Sequence, residues 1–113
     1  MTQDKLLSFL GLCRRAGRLQ WGHDACIDAI RRGTAKLCLV SADASARLER
    51  DIQYAVDRAG GTPPVIRTPY TMQQMRDATG YFAGVLTTDD EGFAKRLTQL
   101  HQDSSRRDIA NDQ

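Results

Sequence analysis

The residues with the clearest chemical potential lie in the first third of the chain, where basic side chains surround a glycine, Gly22. Residues 1–41 contain seven basic and three acidic side chains, a formal charge of +4, and residues 42–113 carry −2. Such an asymmetry points toward a polyanion at one end of the molecule. The alternative is a pair of solvated helix ends, where the helix dipole favours cations. Six of the seven basic side chains lie between positions 14 and 36, namely Arg14, Arg15, Arg18, Arg31, Arg32 and Lys36.

Gly22 itself is predicted to open a helix. The first N–H groups of a helix lack intrahelical acceptors, so those at 22–25 are expected to face outward, where they can hold a phosphate or a base edge. Glycine has no side chain, which lets another backbone come close. Trp21, the only tryptophan, directly precedes Gly22. It either stacks on an unpaired base or closes the end of the core, and the sequence leaves both open.

Two other groupings could bind a metal, and neither is favoured. His23 and Cys26 are three residues apart, and Cys13 and Cys38 could approach them in a zinc-like set. All three cysteines occupy apolar periodic positions, which is typical of buried thiols that pack as small hydrophobes. The acidic run at 89–91 has the position of helix N-terminal charges. With no catalytic motif present, the sequence predicts a protein without enzymatic activity, metal or cofactor.

Length and composition bound the class of protein. The chain has 113 residues, of which 41% are hydrophobic and 27% charged, as expected for one soluble globular domain. No apolar run is long enough to span a membrane, and the N-terminus lacks the features of a signal peptide. An odd number of widely spaced cysteines predicts reduced thiols and a cytoplasmic location.

The elements that must position these residues alternate along the chain. Apolar periodicity and capping signals predict the order α-β-α-β-α-β-α-β-α. This order is typical of an α/β protein, here a three-layer α/β/α sandwich around a four-stranded mixed sheet. The domain is predicted to span 1–102, followed by a disordered tail at 103–113. The predicted helices cover about 4–16, 24–32, 46–59, 71–80 and a segment from 91, and the predicted strands cover 19–21, 37–40, 65–66 and 82–87.

Three segments in register resemble a known family. Residues 7–22, 29–45 and 85–95 resemble the YlxQ-type bacterial branch of the kink-turn-binding ribosomal protein superfamily, and the similarity extends over about 6–97. The resemblance implies an α/β/α sandwich, RNA binding and no catalysis. The implied partners are structured RNA, ribosomal RNA included, and proteins of the ribosome or of translation, bound by a monomer away from membranes.

The resemblance also implies an RNA surface. In the family this surface is formed by the glycine-containing loop, the first turns of the second helix and the loop before the fourth helix. Tyr70 follows a proline in the last of these loops and is therefore expected to be exposed. Carried onto this chain, the implied residues are Gly22, His23 and Asp24, the loop residues Arg67, Thr68, Pro69 and Tyr70, and the basic residue before the second strand, Lys36.

The chain departs from the kink-turn pattern at four positions, occupied here by His23, Asp24, Ala25 and Asp28. Kink-turn binders resemble Gly-Thr-Asn-Glu with a lysine four residues after the asparagine, whereas this chain has Asp24 for the asparagine and Asp28 for the lysine. Ionised aspartate only accepts hydrogen bonds, and each change at a base-reading position costs on the order of 1–3 kcal/mol. Two hypotheses follow: a binder of bent or bulged RNA associated with translation, or a protein-interaction module that kept the fold and lost kink-turn recognition.

Overall fold

The computed structural model describes residues 4–111, and the side chains of residues 4–104. Within that range, helices and strands alternate in the predicted order. The helices are α1 (Lys5–Arg15), α2 (His23–Arg32), α3 (Ala46–Arg58), α4 (Met72–Thr79) and α5 (Glu91–Asn111), and the strands are β1 (Leu19–Trp21), β2 (Leu37–Val40), β3 (Val65–Arg67) and β4 (Val85–Thr88).

The strands form one mixed sheet in the order β1-β4-β2-β3. β4 is antiparallel to both of its neighbours, and β2 is parallel to β3. β1, β2 and β3 therefore run in the same direction, and their carboxyl ends lie beside the start of β4. We call this end of the sheet, marked by Trp21, Val40, Arg67 and Val85, the upper edge. The opposite end, marked by Leu19, Leu37, Val65 and Thr88, is the lower edge.

Helices cover both faces of the sheet, which confirms the predicted three-layer sandwich. α1, α4 and α5 bury Leu10, Met75 and Leu97 against one face. α2 and α3 bury Ile30 and Ile52 against the other. Every residue of β2 is buried, as its continuous apolar run predicts. α1, α2 and α3 run from the upper edge toward the lower edge, and α4 also starts beside the upper edge, after β3. α5 instead starts at the lower edge, where β4 ends.

Local signals fix most helix starts. The Asp4 carboxylate accepts the backbone N–H groups of Leu6 and Leu7 and so caps α1. The predicted capping box at α4 is confirmed, with Thr71 and Gln74 satisfying each other's backbone N–H groups.

None of the helices within residues 4–111 is long and apolar enough to cross a membrane.

Strand β4 starts later than the sequence predicts. The apolar residues at 82–84 extend the strand pattern toward the amino end, but pairing begins only at Val85. The preceding segment is held by Ser41 instead, whose N–H donates to the Gly84 carbonyl and whose hydroxyl donates to the Ala83 carbonyl. Phe82 is consequently exposed rather than part of the sheet.

The carboxyl-terminal segment also differs from expectation. Helix α5 continues to Asn111, so residues 103–111 of the predicted disordered tail are helical. The segment contains neither glycine nor proline, so nothing in it interrupts a helix that has already started. Residues 112–113 of the predicted tail lie outside the described part of the chain.

Candidate nucleic-acid interface

The start of α2 lies at the upper edge and is shaped by Gly22. This glycine has φ 91° and ψ 164°, a conformation that only glycine adopts readily. Its N–H donates to the Val85 carbonyl at 3.1 Å, and its carbonyl accepts from Cys26 N at 3.1 Å. The prediction of an outward-facing N–H at Gly22 is therefore wrong, because β4 supplies an acceptor. The outward-facing N–H groups begin at His23, and no side chain caps them.

His23 bridges the first turn of α2 to α3. Its Nδ1 lies 2.8 Å from Asp24 Oδ1, and its Nε2 lies 2.9 Å from Asp51 Oδ2. The imidazole is about half exposed, with 48% of its side chain accessible. The hydrogen bond to Asp24, followed by that to Asp51, raises the pKa of His23 above its usual range. When the ring is protonated, it donates to both carboxylates, and its charge offsets one of the two carboxylate charges at this place.

We expect the His23 pKa to depend on both carboxylates. Asp24→Asn should lower this pKa more than Asp51→Asn, because the Asp24 hydrogen bond is the larger cause. Since the folded-state pKa is raised, the bridge stabilises the protein fully below pH 6.5 and is lost as pH rises through the folded-state value. An NMR titration of the His23 ring measures its pKa in wild type and in the two variants. Equal pKa values in wild type and both variants would show that neither carboxylate holds the proton.

Trp21 leads from β1 to the α2 start and stands half exposed. Its accessible fraction is 47%, and its ring stacks on Tyr81 with centroids 4.8 Å apart and planes 13° from parallel. The Arg14 guanidinium lies over the Tyr81 ring at 5.2 Å. The sequence left packing and base stacking open for Trp21. In the structure the Trp21 indole packs against Tyr81, and about half of its surface remains exposed.

The remaining predicted cations do not join this cluster. Arg18 lies at the lower edge, where it pairs with Asp89 at 3.5 Å. Arg15 lines grooves between α1 and its neighbours α4 and α5. The topology explains the separation: α1 descends to the lower edge, and β1 then carries the chain back up to Gly22. Three further predicted cations are exposed at the lower end of the molecule: Arg31, Arg32 and Lys36. Arg32 pairs there with Asp28 at 3.0 Å.

The loop at 67–70 lies at the upper edge, but two of its four residues are buried in the core. Tyr70 is 8% exposed, and its hydroxyl donates to Asp4 Oδ2 at 2.6 Å. The expectation of an exposed Tyr70 is therefore wrong, because a partner 66 residues away satisfies the hydroxyl inside the fold. Thr68 is also buried and donates to the Val40 carbonyl. Arg67 and Pro69 remain exposed, and Arg67 pairs with Glu49 at 3.0 Å.

The structure adds two residues that the sequence did not indicate, Tyr81 and Asp51. Tyr81 lies in the irregular segment before β4, and no local pattern ties it to Trp21. Asp51 lies within α3 among several charged residues, and only the packing of α3 beside α2 singles it out. Both roles arise from contacts between distant parts of the chain.

The three thiols are buried, as predicted, and suited to packing. Cys13, Cys26 and Cys38 are all 0% exposed. Desolvation raises the pKa of Cys13 and of Cys26 to about 11 and that of Cys38 to about 12. Since the thiolate is the reactive form, these groups are inert at neutral pH.

The acidic run at 89–91 serves the start of α5. Asp90 Oδ1 accepts from Phe93 N at 2.8 Å, which caps the helix. Asp89 pairs with Arg18. Among the described residues, no group of three or more His, Cys, Asp or Glu side chains is arranged to hold a metal ion.

Comparison with known proteins identifies relatives over most of the chain. No family model matches the sequence. The chain is similar to RNA-binding protein YlxQ of Bacillus subtilis, with 31% identity over 96 residues that cover 80% of this chain and 89% of that protein. It is also similar to large ribosomal subunit protein eL30 of Tetrahymena thermophila, with 39% identity over 54 residues that span 48% of this chain and 52% of that protein.

Solved structures show the same fold. A protein of unknown function from Bacillus halodurans superposes with a TM-score of 0.78 at 27% identity, over 87% of this chain and 97% of that one. The 15.5kD RNA binding protein of Giardia lamblia superposes with a TM-score of 0.65 at 15% identity, over 88% of each chain. The second likeness concerns the fold alone.

Proposed function

The chain belongs to the family of RNA-binding protein YlxQ, within the kink-turn-binding ribosomal protein superfamily, and from this membership we propose that it binds structured RNA in translation. It acts in the cytoplasm as a monomer, without catalysis or cofactor. The structural observation that carries the proposal is the half-exposed Trp21–Tyr81 stack beside the uncapped start of α2. Ribosomal RNA that is bent or bulged is the ligand class.

The start of α2 supplies the polar part of this interface. Uncapped N–H groups at a helix N-terminus attract phosphate or the edge of a base. Protonation of His23 at the same place offsets part of the negative charge of Asp24 and Asp51. Asp24, whose side chain is fully exposed, can accept a hydrogen bond from an amino group such as that of cytosine. This polar set therefore favours a bend or bulge in which a base edge and a phosphate lie close together.

The Trp21–Tyr81 stack supplies the apolar part. Tyr81 covers part of the indole and holds it in place, so that the exposed surface of Trp21 is ready to receive an unpaired base. Stacking of this kind contributes about 1–3 kcal/mol per base. Arg14 lies over Tyr81 and neutralises the phosphate that follows the stacked base. Across the upper edge, Arg67 contacts the other side of the bend.

The departures from the kink-turn pattern shape the expected specificity. Asp24 and Asp28 place two carboxylates near the RNA, and Asp28 keeps Arg32 as its partner. Recognition then depends on RNA shape and phosphate contacts more than on one guanine edge. The same exposed carboxylates favour the alternative function, a protein-interaction module that no longer binds RNA.

The only tryptophan of the chain provides a direct test, because intrinsic fluorescence reports on Trp21. We expect a kink-turn RNA or a bulged ribosomal RNA fragment to quench this fluorescence, and a plain duplex to do so far more weakly. The titrations are run at about 50 mM and about 200 mM salt, because purely electrostatic binding falls steeply over that range. Binding to a structured RNA that persists at the higher salt is the expected result.

A matched control is Trp21→Phe, which keeps an aromatic ring and removes the signal, with affinity followed by labelled RNA instead. Equal, weak and salt-labile binding of all three RNAs would contradict the proposal. In that case, recovery of a protein partner by a pull-down that resists nuclease would support the interaction module.

A further inference from the structure

A second cationic site lies away from the upper edge, between the carboxyl-terminal ends of α2 and α3. A groove of about 440 Å³ opens there on the surface of the molecule. We call it the α2–α3 groove. Its lining residues are Arg31, Tyr54, Ala55, Arg58 and Ala59.

The groove combines an exposed aromatic ring with two guanidinium groups. Tyr54 is 62% exposed, the largest exposed fraction among the large hydrophobic residues that the structure describes as exposed. Arg58 lies over the Tyr54 ring at 5.8 Å, which restrains both side chains. Within residues 4–104, neither Arg31 nor Arg58 has a carboxylate within ion-pair distance.

The carboxylates nearest in sequence to Arg31 and Arg58 have other partners. Asp28 pairs with Arg32 at 3.0 Å, and Asp57 accepts a hydrogen bond from Gln53 at 2.9 Å. Two unpaired guanidinium groups that line one groove are suited to phosphate, which arginine binds through parallel N–H groups. An exposed tyrosine beside them offers a stacking surface for a nucleobase.

Two helices, α2 and α3, connect the groove to the upper edge. His23 opens α2, and Arg31 lies eight residues later on the same helix, a distance of about 12 Å at the α-helical rise. On α3, Tyr54 lies one turn beyond Asp51, the partner of His23. An RNA strand that leaves the upper edge along the α2–α3 seam therefore reaches the groove within a few nucleotides.

We propose that the α2–α3 groove binds a flanking nucleotide of the same RNA, with its base on Tyr54 and its phosphate between Arg31 and Arg58. This inference rests on the proposed function and extends the RNA contact from the upper edge down the side of the molecule. It gives the exposed end of α2 a role in affinity that is separate from shape recognition.

The test compares Arg31→Gln/Arg58→Gln with wild type on the kink-turn RNA and the bulged ribosomal RNA fragment, each carrying a single-stranded flank. We expect affinity to fall about 10-fold in about 0.1 M salt. The slope of log affinity against log salt should decrease by about 0.7, as for one single-strand phosphate contact. Quenching of Trp21 at saturation should be unchanged, because the upper edge still binds. Tyr54→Ala should weaken RNA binding about fivefold. Tyr54→Phe, which keeps the aromatic ring, should bind RNA as wild type does.

The matched control is Arg76→Gln/Arg96→Gln, which removes two exposed arginines on the opposite face of the sheet. Wild-type protein that binds RNA, together with equal affinity and salt slope for the two double variants, would overturn the groove while leaving the proposed function intact. Failure of wild type to bind either structured RNA would overturn both.

Discussion

Reversing the charge of Arg14, Arg15 and Arg18 to glutamate is expected to weaken binding of the structured RNA about 100-fold at moderate salt. The physical reason is the loss of phosphate neutralisation beside the Trp21 stack, compounded by repulsion from the new carboxylates. Competition titrations with the bulged ribosomal RNA fragment measure the affinity. Circular dichroism melting of the triple variant checks that the fold is kept.

The three positions should not contribute equally. Arg14 touches the Trp21–Tyr81 stack through Tyr81, and its single reversal should account for most of the loss. Arg18 is paired with Asp89 at the lower edge, and Arg15 faces α4 and α5, so their single reversals should act mainly through the overall field. A salt titration separates the cases, because a field effect disappears at high salt sooner than a direct contact does.

Reversal of the same number of charges elsewhere isolates position from net charge. Arg76, Lys95 and Arg96 are exposed on α4 and α5, and their triple substitution by glutamate gives the same formal charge. If both triple variants lost the same affinity, the effect would be one of net charge. The amino-terminal arginines would then have no specific place in the interface.

The parts of the fold that local chemistry determines could be predicted from the sequence. The bounds of β2 follow from a short apolar run, and those of β1 from a short segment that Gly22 ends. The start of α4 follows from the Thr71–Gln74 pair. The alternation of these elements then suffices for a layered α/β architecture. These features depend on residues within a few positions of one another, which is the range that sequence patterns report.

Features that depend on distant contacts could not be predicted in the same way. Tyr70 reads as a loop residue after a proline, and only its hydrogen bond to Asp4 places it in the core. Gly22 reads as an open helix start, and only the Val85 carbonyl shows that its N–H is taken. Proximity in sequence also suggested that the early arginines act together, whereas the course of β1 separates Arg18 from Gly22.

The candidate site was predicted in part for the same reason. Its center, from Trp21 to Asp24, is contiguous in sequence, and the structure keeps it together at the upper edge. Its supports, Tyr81 and Asp51, come from the segment before β4 and from α3. Side chains that complete a surface from other elements leave no local signal, so a sequence reveals the loop that reaches the ligand sooner than the groups that hold it.

Replacement of Gly22 by alanine is the second change with a large expected effect. Its φ of 91° with ψ of 164° is a conformation that costs a residue with a Cβ roughly 1–3 kcal/mol. A Cβ at this position would meet no atom within 4 Å, so the cost is one of backbone conformation alone. We expect urea denaturation to show the free energy of unfolding lowered by about 2 kcal/mol, and RNA affinity to fall about 10-fold.

The loss of affinity follows from how the strain would relax. Gly22 is held by the Val85 carbonyl on one side and by Cys26 N on the other, so any rotation toward negative φ breaks one of these bonds. Either break moves Trp21 relative to the α2 start, which separates the two halves of the interface. Gly61→Ala is a matched control: its φ is 90°, a Cβ there also meets open space, and it lies in the loop before β3 at the lower edge. It should lower stability similarly while leaving RNA binding unchanged. If the two variants bound RNA equally well, the conformation of Gly22 would serve the fold and not the interface.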